Sequence, residues 1–173
     1  MQISLFDNLI DIDYILFLDI DGVLNVFGNP KVDFEQESID TLNLFYDKIK
    51  YKIVLSSSWK ESWPIFYLQE LFKELGIKAP LIATTNTYFD NDNNKYSFDL
   101  GDIDNIPQKE CFSREYEVSQ WVRLYKVEHF IILDDMQFFN KELKDHAICT
   151  LKNGLRKDYL NEMIEKMEIR NIV

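Results

Sequence analysis

Two acidic residues separated by one position follow an apolar run over residues 14–18, and a glycine comes directly after them. The acidic residues are Asp19 and Asp21, and the glycine is Gly22. The run is short, continuous and closed by Asp and Gly, which is typical of a strand buried on both faces. The glycine can adopt a positive φ, so both carboxylates can face one crevice as the chain turns away. Such a pair can supply a nucleophile and a general acid or base.

A second pair with the same spacing, Asp11 and Asp13, occupies a different place in the chain. It precedes the apolar run and would lie at the amino end of that strand. In open parallel sheets, ligands bind outside the carboxyl ends of the strands. We therefore interpret Asp11 and Asp13 as part of a solvated entry loop, and Asp19 and Asp21 as the functional candidates.

Hydroxyl groups follow the next apolar run, residues 51–55, as Ser56, Ser57 and Ser58. Hydroxyls and backbone N–H groups at the start of a helix can donate hydrogen bonds to phosphate oxygens. The alternative interpretation is a helix N-cap, which serine supplies routinely.

A late acidic pair, Asp134 and Asp135, follows the apolar run over residues 130–133. Adjacent like charges are unfavourable unless a cation lies beside them, so this pair indicates a metal site. A solvated loop is the alternative. Polar groups at three strand ends together indicate a functional site more specifically than any one of them alone.

The elements that would position these residues alternate along the chain between short apolar runs and amphipathic segments. Strands are predicted at residues 14–18, 51–55, 81–83, 130–133 and 147–150, and helices at 38–49, 62–75, 114–126 and 155–168. This alternation predicts an α/β fold. We expect a three-layer α/β/α Rossmann-like arrangement with a mostly parallel central sheet of about five strands.

Several residues within these elements have predicted structural roles. Ser38 is expected to cap the first helix, Trp59 and Trp121 to be core aromatics, and Trp63 to lie on a buried helical face. Residues 84–107 are rich in Asn and Asp, which predicts a small loop or hairpin insertion within a single domain spanning residues 1–173.

The chain has 19 basic and 30 acidic residues and a formal net charge of −11. This balance disfavours a broad basic surface for nucleic acid. No apolar stretch approaches the ~20 residues that span a bilayer. The first residues also lack the basic segment and apolar run of a signal peptide. These features predict a cytoplasmic protein without a membrane partner.

Three segments together resemble the haloacid dehalogenase (HAD) superfamily of phosphatases. They are residues 19–25 (Asp-Ile-Asp-Gly-Val-Leu-Asn), 56–60 (Ser-Ser-Ser-Trp-Lys) and 133–135 (Leu-Asp-Asp). The second segment and residues 114–121 (Arg-Glu-Tyr-Glu-Val-Ser-Gln-Trp) are similar to the capless branch related to phosphatase domains of RNA-repair proteins. The resemblance spans about residues 14–165 and implies a HAD-like hydrolase fold.

The resemblance implies a Mg²⁺-dependent phosphatase that works through an aspartyl-phosphate. Asp19 would be the nucleophile, and Asp21 would protonate the leaving alcohol and then activate the hydrolytic water. Mg²⁺ would bind Asp19, the backbone carbonyl of Asp21, and either Asp134 or Asp135. Asp134 is favoured as the direct ligand, with Asp135 as the alternative.

The resemblance also implies a basic side chain that bridges the nucleophile and the phosphate. Arg114, predicted to open the third helix, is the first candidate, and Lys109, predicted in the preceding loop, is the alternative. Ser56 or Ser57 would bind the phosphate. Two other functions remain open, namely a phosphotransferase on the same scaffold and a non-catalytic interaction module that retains the fold.

The substrate class follows from the space available for a lid. Only 34 residues, 22 through 55, separate Asp21 from the end of the second strand, which is too few for a large lid. Capless members of the superfamily resemble enzymes acting on bulky phosphoesters. The expected partner is therefore a phosphorylated substrate, either a nucleotide, a nucleic-acid end or another bulky phosphate. The acidic balance argues against a long polyanion.

Overall fold

The computed structural model describes residues 14–26, 33–86 and 109–171, with the backbone alone described for residues 109–113. The predicted entry loop with Asp11 and Asp13 lies outside these ranges. So does all of the predicted insertion over residues 84–107 except its first three residues. The prediction of a single domain over the whole chain therefore stays a prediction.

The centre of the fold is a five-stranded sheet in which every pair of neighbouring strands is parallel. Its strands are β1 (Ile15–Leu18), β2 (Lys52–Leu55), β3 (Leu81–Thr84), β4 (Phe130–Asp134) and β5 (Ala147–Cys149), in the order β3-β2-β1-β4-β5. The central strand, β1, pairs with Leu18 opposite both Leu55 and Leu133. The next residue along each chain segment, Asp19, Ser56 and Asp134, therefore lies at the same level of the sheet.

Helices cover both faces of the sheet. They are α1 (Gln36–Lys48), α2 (Trp59–Ser62), α3 (Ile65–Glu74), α4 (Lys109–Tyr125) and α5 (Leu160–Glu168), with a 3-10 turn (Lys157–Tyr159) before α5. Along β1, Leu16 and Leu18 pack into the core cluster that contains α1, α3 and α5, whereas Ile15 and Phe17 pack into the cluster that contains α4. This alternation confirms the three-layer α/β Rossmann-like fold.

The helix predicted over residues 62–75 is found over Ile65–Glu74, and its predicted start is wrong, because Trp63 and Pro64 separate it from a second, shorter helix. The backbone N–H of Trp63 closes α2 by donating to the carbonyl of Trp59 (2.9 Å), and Trp63 itself is extended, at φ −129° and ψ 129°. A residue before proline avoids helical dihedrals because the proline ring crowds it. The predicted burial of Trp63 is wrong for the same reason, since it is 43% exposed. Trp121 is buried, and Trp59 packs against the edge of the core.

Two helix starts also differ from the predictions. The first helix begins at Gln36 with Glu35 at the N-cap, and the Ser38 hydroxyl instead donates to the Leu155 carbonyl (2.9 Å). The helix that carries Arg114 begins at Lys109, so Lys109 lies in a helix rather than a loop and Arg114 is the sixth helical residue. The Ser38 hydroxyl makes a tertiary contact with a residue 117 positions away, which a local pattern does not contain.

Within the described ranges, every helix is too short or too polar to cross a lipid bilayer.

Candidate active site

The polar residues predicted at the strand ends meet at the carboxyl edge of the sheet. The ladder continues one residue past each strand, since the Asp19 N–H donates to the Leu133 carbonyl and the Ser56 N–H donates to the Leu18 carbonyl, both at 2.9 Å. Asp19 and Ser56 are therefore adjacent in register, and the last residue of β4, Asp134, lies on the other side of Asp19. All three are buried.

Arg114 reaches this edge from α4 and joins two of the carboxylates. Its Nη1 donates to Oδ2 of Asp19 (2.7 Å) and to Oδ2 of Asp134 (2.9 Å), and its side chain is only 13% exposed. Burial by itself would lower the pKa of Arg114, but the carboxylates of Asp134 and Asp19 raise it above its ordinary value. The guanidinium therefore stays charged beside the carboxylate of Asp19.

Three carboxylates form a cluster at this edge. Asp19, Asp134 and Asp135 each offer one oxygen, and these oxygens all lie within 4.8 Å of one another. Burial raises the pKa of Asp134 to about 7, with Arg114 opposing the rise and Asp19 adding to it. Burial also raises the pKa of Asp135, and Asp19 again adds to the effect. A second cation would relieve this repulsion, and carboxylate oxygens are the ligands that Mg²⁺ prefers, so the donor set fits a hard divalent ion.

The two candidate metal ligands of the late acidic pair differ in their contacts. Asp134 accepts from the backbone N–H of Met136 through Oδ1 (2.9 Å) and from Arg114 through Oδ2. Asp135 is half-buried and lies against the turn after β1. The direct ligand of a metal remains open between these two residues.

Gly22 allows Asp135 to lie close against the turn after β1. Its φ is +76°, and a Cβ at this position would lie 2.5 Å from the Cβ of Asp135. Its carbonyl accepts from the Thr150 hydroxyl (2.7 Å) and from the Gly154 N–H (3.0 Å). The glycine is therefore required both by the backbone conformation and by the space that Asp135 occupies.

Asp21 lies at the same turn and has both carboxylate oxygens engaged. Oδ1 accepts from Nδ2 of Asn25 and Oδ2 accepts from the indole Nε1 of Trp59, each at 2.9 Å. The contact with Trp59 is absent from the sequence-based prediction, which placed this residue in the core. The only sequence signal was the position of Trp59 within the motif at residues 56–60.

The serines after β2 have different environments. Ser57 is buried, and its Oγ accepts from the backbone N–H of Trp59 at 3.4 Å, whereas the N-cap of α2 is Ser58, whose side chain makes no capping bond. The Oγ of Ser56 is buried and has no hydrogen-bond partner among the described residues. Continued alternation beyond Val54 and Phe17, which both pack on the α4 side, places Ser56 and Asp19 on that same side. An unpaired buried hydroxyl is unfavourable, and a bound polar ligand would satisfy it.

A buried ion pair lies beside the carboxylate cluster and is also absent from the sequence-based prediction. Nζ of Lys60 contacts Oε2 of Glu117 at 2.6 Å, and the Thr85 hydroxyl donates to the same oxygen at 2.8 Å. Burial lowers the pKa of Lys60, and Glu117 opposes that change. Because Glu117 lies three residues after Arg114, the pair fixes α2 against the helical turn that carries the arginine. Both residues lie within the quoted motifs, but spacing alone did not reveal that they pair.

The structure thus brings together Asp19, Arg114, Asp134 and Asp135, with Asp21 and Ser56 at the same edge. The side chain of Lys109 lies outside the described part of the chain, so its predicted role stays untested.

A comparison with protein families agrees with this geometry. A family model described as the HAD domain in Swiss Army Knife RNA repair proteins matches residues 15–160. The match begins with β1 and includes every residue placed at the site. Comparisons with curated proteins and with solved structures gave no match. The chain belongs to the family of HAD domains found in Swiss Army Knife RNA repair proteins.

Proposed function

We propose that this protein is a Mg²⁺-dependent phosphomonoesterase in which Asp19 is the nucleophile. The observation that carries the proposal is the position of Asp19, which lies within a cluster of three carboxylates and accepts a hydrogen bond from Arg114 through Oδ2. Family membership supports phosphohydrolase chemistry in general. The residues around Asp19 support the more specific assignment.

The proposed reaction has two displacements. An oxygen of the Asp19 carboxylate attacks phosphorus, the bond between phosphorus and the ester oxygen breaks, and the leaving oxygen takes a proton from Asp21. In the second step, water attacks the phosphorus of the aspartyl-phosphate and gives a proton to the Asp21 carboxylate. The Asp19 carboxylate and inorganic phosphate are released.

The surrounding residues would hold the phosphate. Arg114 remains charged and offsets the repulsion between Asp19 and a phosphate dianion. The hydroxyl of Ser56 is the better placed of the two serines to donate to a phosphate oxygen, because it is buried without a partner among the described residues and lies in register beside Asp19. Asp19, the Asp21 carbonyl, and Asp134 or Asp135 would hold Mg²⁺, which supplies further neutralisation of phosphate charge when bound.

The proposed substrate is a terminal phosphate on a nucleotide or a nucleic-acid end. The family description names RNA repair proteins, and the short segment between β1 and β2 leaves no length for a large lid. The net charge of −11 disfavours contact with a long stretch of backbone. A substrate recognised at its end fits both observations.

Hydrolysis of p-nitrophenyl phosphate by the purified protein tests the reaction. We expect Mg²⁺-dependent release of stoichiometric inorganic phosphate without an acceptor, and a loss of at least about 10³-fold in kcat for Asp19→Asn. The exposed Asp40→Asn in α1 is the matched control and should retain wild-type rates. Rapid acid quench followed by mass spectrometry should place a phosphoryl group on the peptide containing Asp19.

Different outcomes identify the alternatives. Equal rates for the wild type and Asp19→Asn would contradict the enzymatic proposal and favour an interaction module. Phosphate release that requires an added alcohol would indicate a phosphotransferase. A panel of nucleotides, 5′- and 3′-phosphorylated oligonucleotides, sugar phosphates and phosphopeptides tests the substrate, and equal kcat/KM on all of them would remove the nucleic-acid preference.

A further inference from the structure

The indole of Trp59 makes a directed contact with the residue proposed as the acid and base. Its Nε1 donates to Oδ2 of Asp21 at 2.9 Å. An indole nitrogen is a donor only, so this bond requires an oxygen acceptor and its direction is unambiguous. Trp59 is therefore more than a core aromatic.

A second donor holds the other oxygen of Asp21. Nδ2 of Asn25 donates to Oδ1 of Asp21 at 2.9 Å, while Oδ1 of Asn25 accepts from the Gly22 N–H at 2.8 Å. The bond from Gly22 fixes which end of the amide faces Asp21. The carboxyl group of Asp21 is thus held from two elements, by its own turn through Asn25 and by α2 through Trp59.

The position of Trp59 is set by the turn proposed to bind phosphate. Trp59 is the first residue of α2, directly after Ser56, Ser57 and Ser58, and its backbone N–H donates to the Ser57 hydroxyl at 3.4 Å. The ring packs against the core and meets the ring of Phe34 edge to face, with centroids 5.9 Å apart. A displacement of this turn would therefore displace the indole and the carboxyl group of Asp21 that it holds.

We propose that Trp59 is a positioning residue that fixes the carboxyl group of Asp21 relative to the phosphate-binding turn. The proposal rests on the phosphomonoesterase function proposed above. Each carboxyl oxygen can accept more than one hydrogen bond, so Asp21 can carry its proton while the bonds from Trp59 and Asn25 persist. General acids act efficiently only when the proton lies within hydrogen-bond reach of the leaving oxygen.

The first displacement gives this role a specific readout. The bond between Asp19 and phosphorus forms, the ester bond breaks, and the electron pair of that bond stays on the leaving oxygen, which takes the proton of Asp21. A p-nitrophenolate ion leaves readily without that proton, whereas a benzyl alkoxide does not. The ratio of kcat/KM for benzyl phosphate to that for p-nitrophenyl phosphate therefore measures proton delivery, because kcat/KM includes steps only up to loss of the alcohol.

The experiment measures this ratio in five proteins with Mg²⁺ present. They are the wild type, Trp59→Phe, a protein with a benzothienyl analogue of tryptophan at position 59, Asp21→Asn, and Trp63→Phe. The analogue keeps the shape of the indole but replaces its N–H by sulfur, so it removes the donor without leaving a cavity. Trp63 is the matched control, since it is exposed and stacks on Tyr67 four residues later, with ring centroids 4.6 Å apart.

Both changes at position 59 should lower the ratio by about tenfold, as a partial loss of general acid catalysis. Asp21→Asn should lower the ratio further, and Trp63→Phe should keep the wild-type ratio.

If both Trp59 variants keep the wild-type ratio while Asp21→Asn lowers it, the positioning role is wrong and the phosphatase proposal stands. Equal loss on both substrates in Trp59→Phe, with a wild-type ratio for the analogue, would show a packing role only. Full activity of Asp19→Asn would overturn both proposals.

Discussion

The guanidinium of Arg114 determines which charges can coexist at the strand ends. It contacts one oxygen of Asp19 and one of Asp134 at the same time, and both carboxylates are buried. Buried carboxylates without a cation are strongly unfavourable. Arg114 therefore serves both the stability of the folded chain and the proposed reaction.

Replacing Arg114 separates its charge from its geometry. We expect Arg114→Met to lower kcat/KM on p-nitrophenyl phosphate by at least about 100-fold, because a fixed cation beside the developing charge is lost. The same change should lower the free energy of unfolding by about 3–5 kcal/mol, because two buried carboxylates lose their partner. Arg114→Lys keeps the charge on a shorter side chain, so its kcat/KM should lie between those of the wild type and Arg114→Met.

A control on the same helix is Arg123→Met. Arg123 pairs with Glu142, and both side chains are more than half exposed. Its loss should change the free energy of unfolding by less than about 1 kcal/mol. Similar urea midpoints for Arg114→Met and Arg123→Met would contradict the role of Arg114 in the buried cluster.

Gly22 allows strain and contact to be measured apart. Gly22→Ala introduces a Cβ at φ +76° that meets the Cβ of Asp135, whereas Gly76 has the same φ with nothing within 4 Å of its Cβ position. Gly76→Ala should therefore cost about 1–2 kcal/mol from backbone strain alone and leave activity unchanged. Gly22→Ala should cost more and reduce kcat, because Asp135 must move. Equal losses in urea unfolding for the two variants would show that the contact with Asp135 is unimportant.

Local sequence determines the position of the site residues that could be predicted. Tertiary packing determines the position of those that could not. Asp19, Ser56 and Asp134 follow local apolar runs, and parallel strands place such ends at the same edge of the sheet. Trp59 instead reaches Asp21 across 38 residues of chain, a contact set by tertiary packing. Its spacing in the sequence carries no signal of that contact.

At the level of elements, the same distinction explains the helix boundaries. The strands and the α/β order were predictable, because apolar runs of three to five residues between amphipathic segments have few alternatives. The break between α2 and α3 was missed although Pro64 stands in the sequence, because the apolar residues around it fit a helical period. Phe66 fits that period but is 68% exposed. Periodicity identifies the segment, but the proline decides where each helix ends.

The short helix α2 has little stability of its own and depends on the pair between Lys60 and Glu117. A four-residue helix cannot form without tertiary contacts. Both members of the pair are buried, at 2.6 Å, and the Thr85 hydroxyl donates to the same carboxylate. We expect Lys60→Met to lower the free energy of unfolding by about 3–5 kcal/mol, because it leaves Glu117 buried without a cation.

The double variant distinguishes charge from packing. Lys60→Met combined with Glu117→Leu should recover most of the lost stability, since no uncompensated charge remains. Lys78→Met, which removes a half-exposed pair with Asp47, should cost less than about 1 kcal/mol in the same urea titrations. Additive losses in the double variant would mean that the two side chains act independently.

At the scale of the whole molecule, the strand order explains how one site is assembled from distant segments. Because β1 is central and its neighbours are β2 and β4, residues 19, 56 and 134 lie at the carboxyl ends of adjacent strands, although 37 positions separate the first two and 78 the last two. Each crossover returns the chain to the same edge of the sheet. Among the described residues, the outer strand β5 pairs with β4 and stabilises the sheet at a distance from Asp19.

The pH dependence of global stability should reveal one such distant contribution, from His146 before β5. The ring is buried, stacks on Phe130 with centroids 4.1 Å apart, and its Nδ1 lies 3.0 Å from the Phe130 carbonyl. Burial lowers the pKa of His146, while the Phe130 carbonyl and Asp145 oppose the shift and Lys166 and His129 add to it. The unfolded chain, with an ordinary pKa of about 6.5, then binds more protons than the folded chain below that pH.

The stability contributed by neutral His146 is therefore complete above about pH 6.5 and declines as the pH falls toward the lowered pKa of the folded state. His146→Asn keeps an amide donor for the Phe130 carbonyl but cannot titrate. Urea unfolding at about pH 7.5 and about pH 5.5 should show a smaller loss of stability for this variant than for the wild type. All other titratable groups are common to both proteins, so the difference between the two losses of stability isolates the contribution of the imidazole. An equal loss of stability in the wild type and in His146→Asn would mean that the fold does not hold His146 neutral.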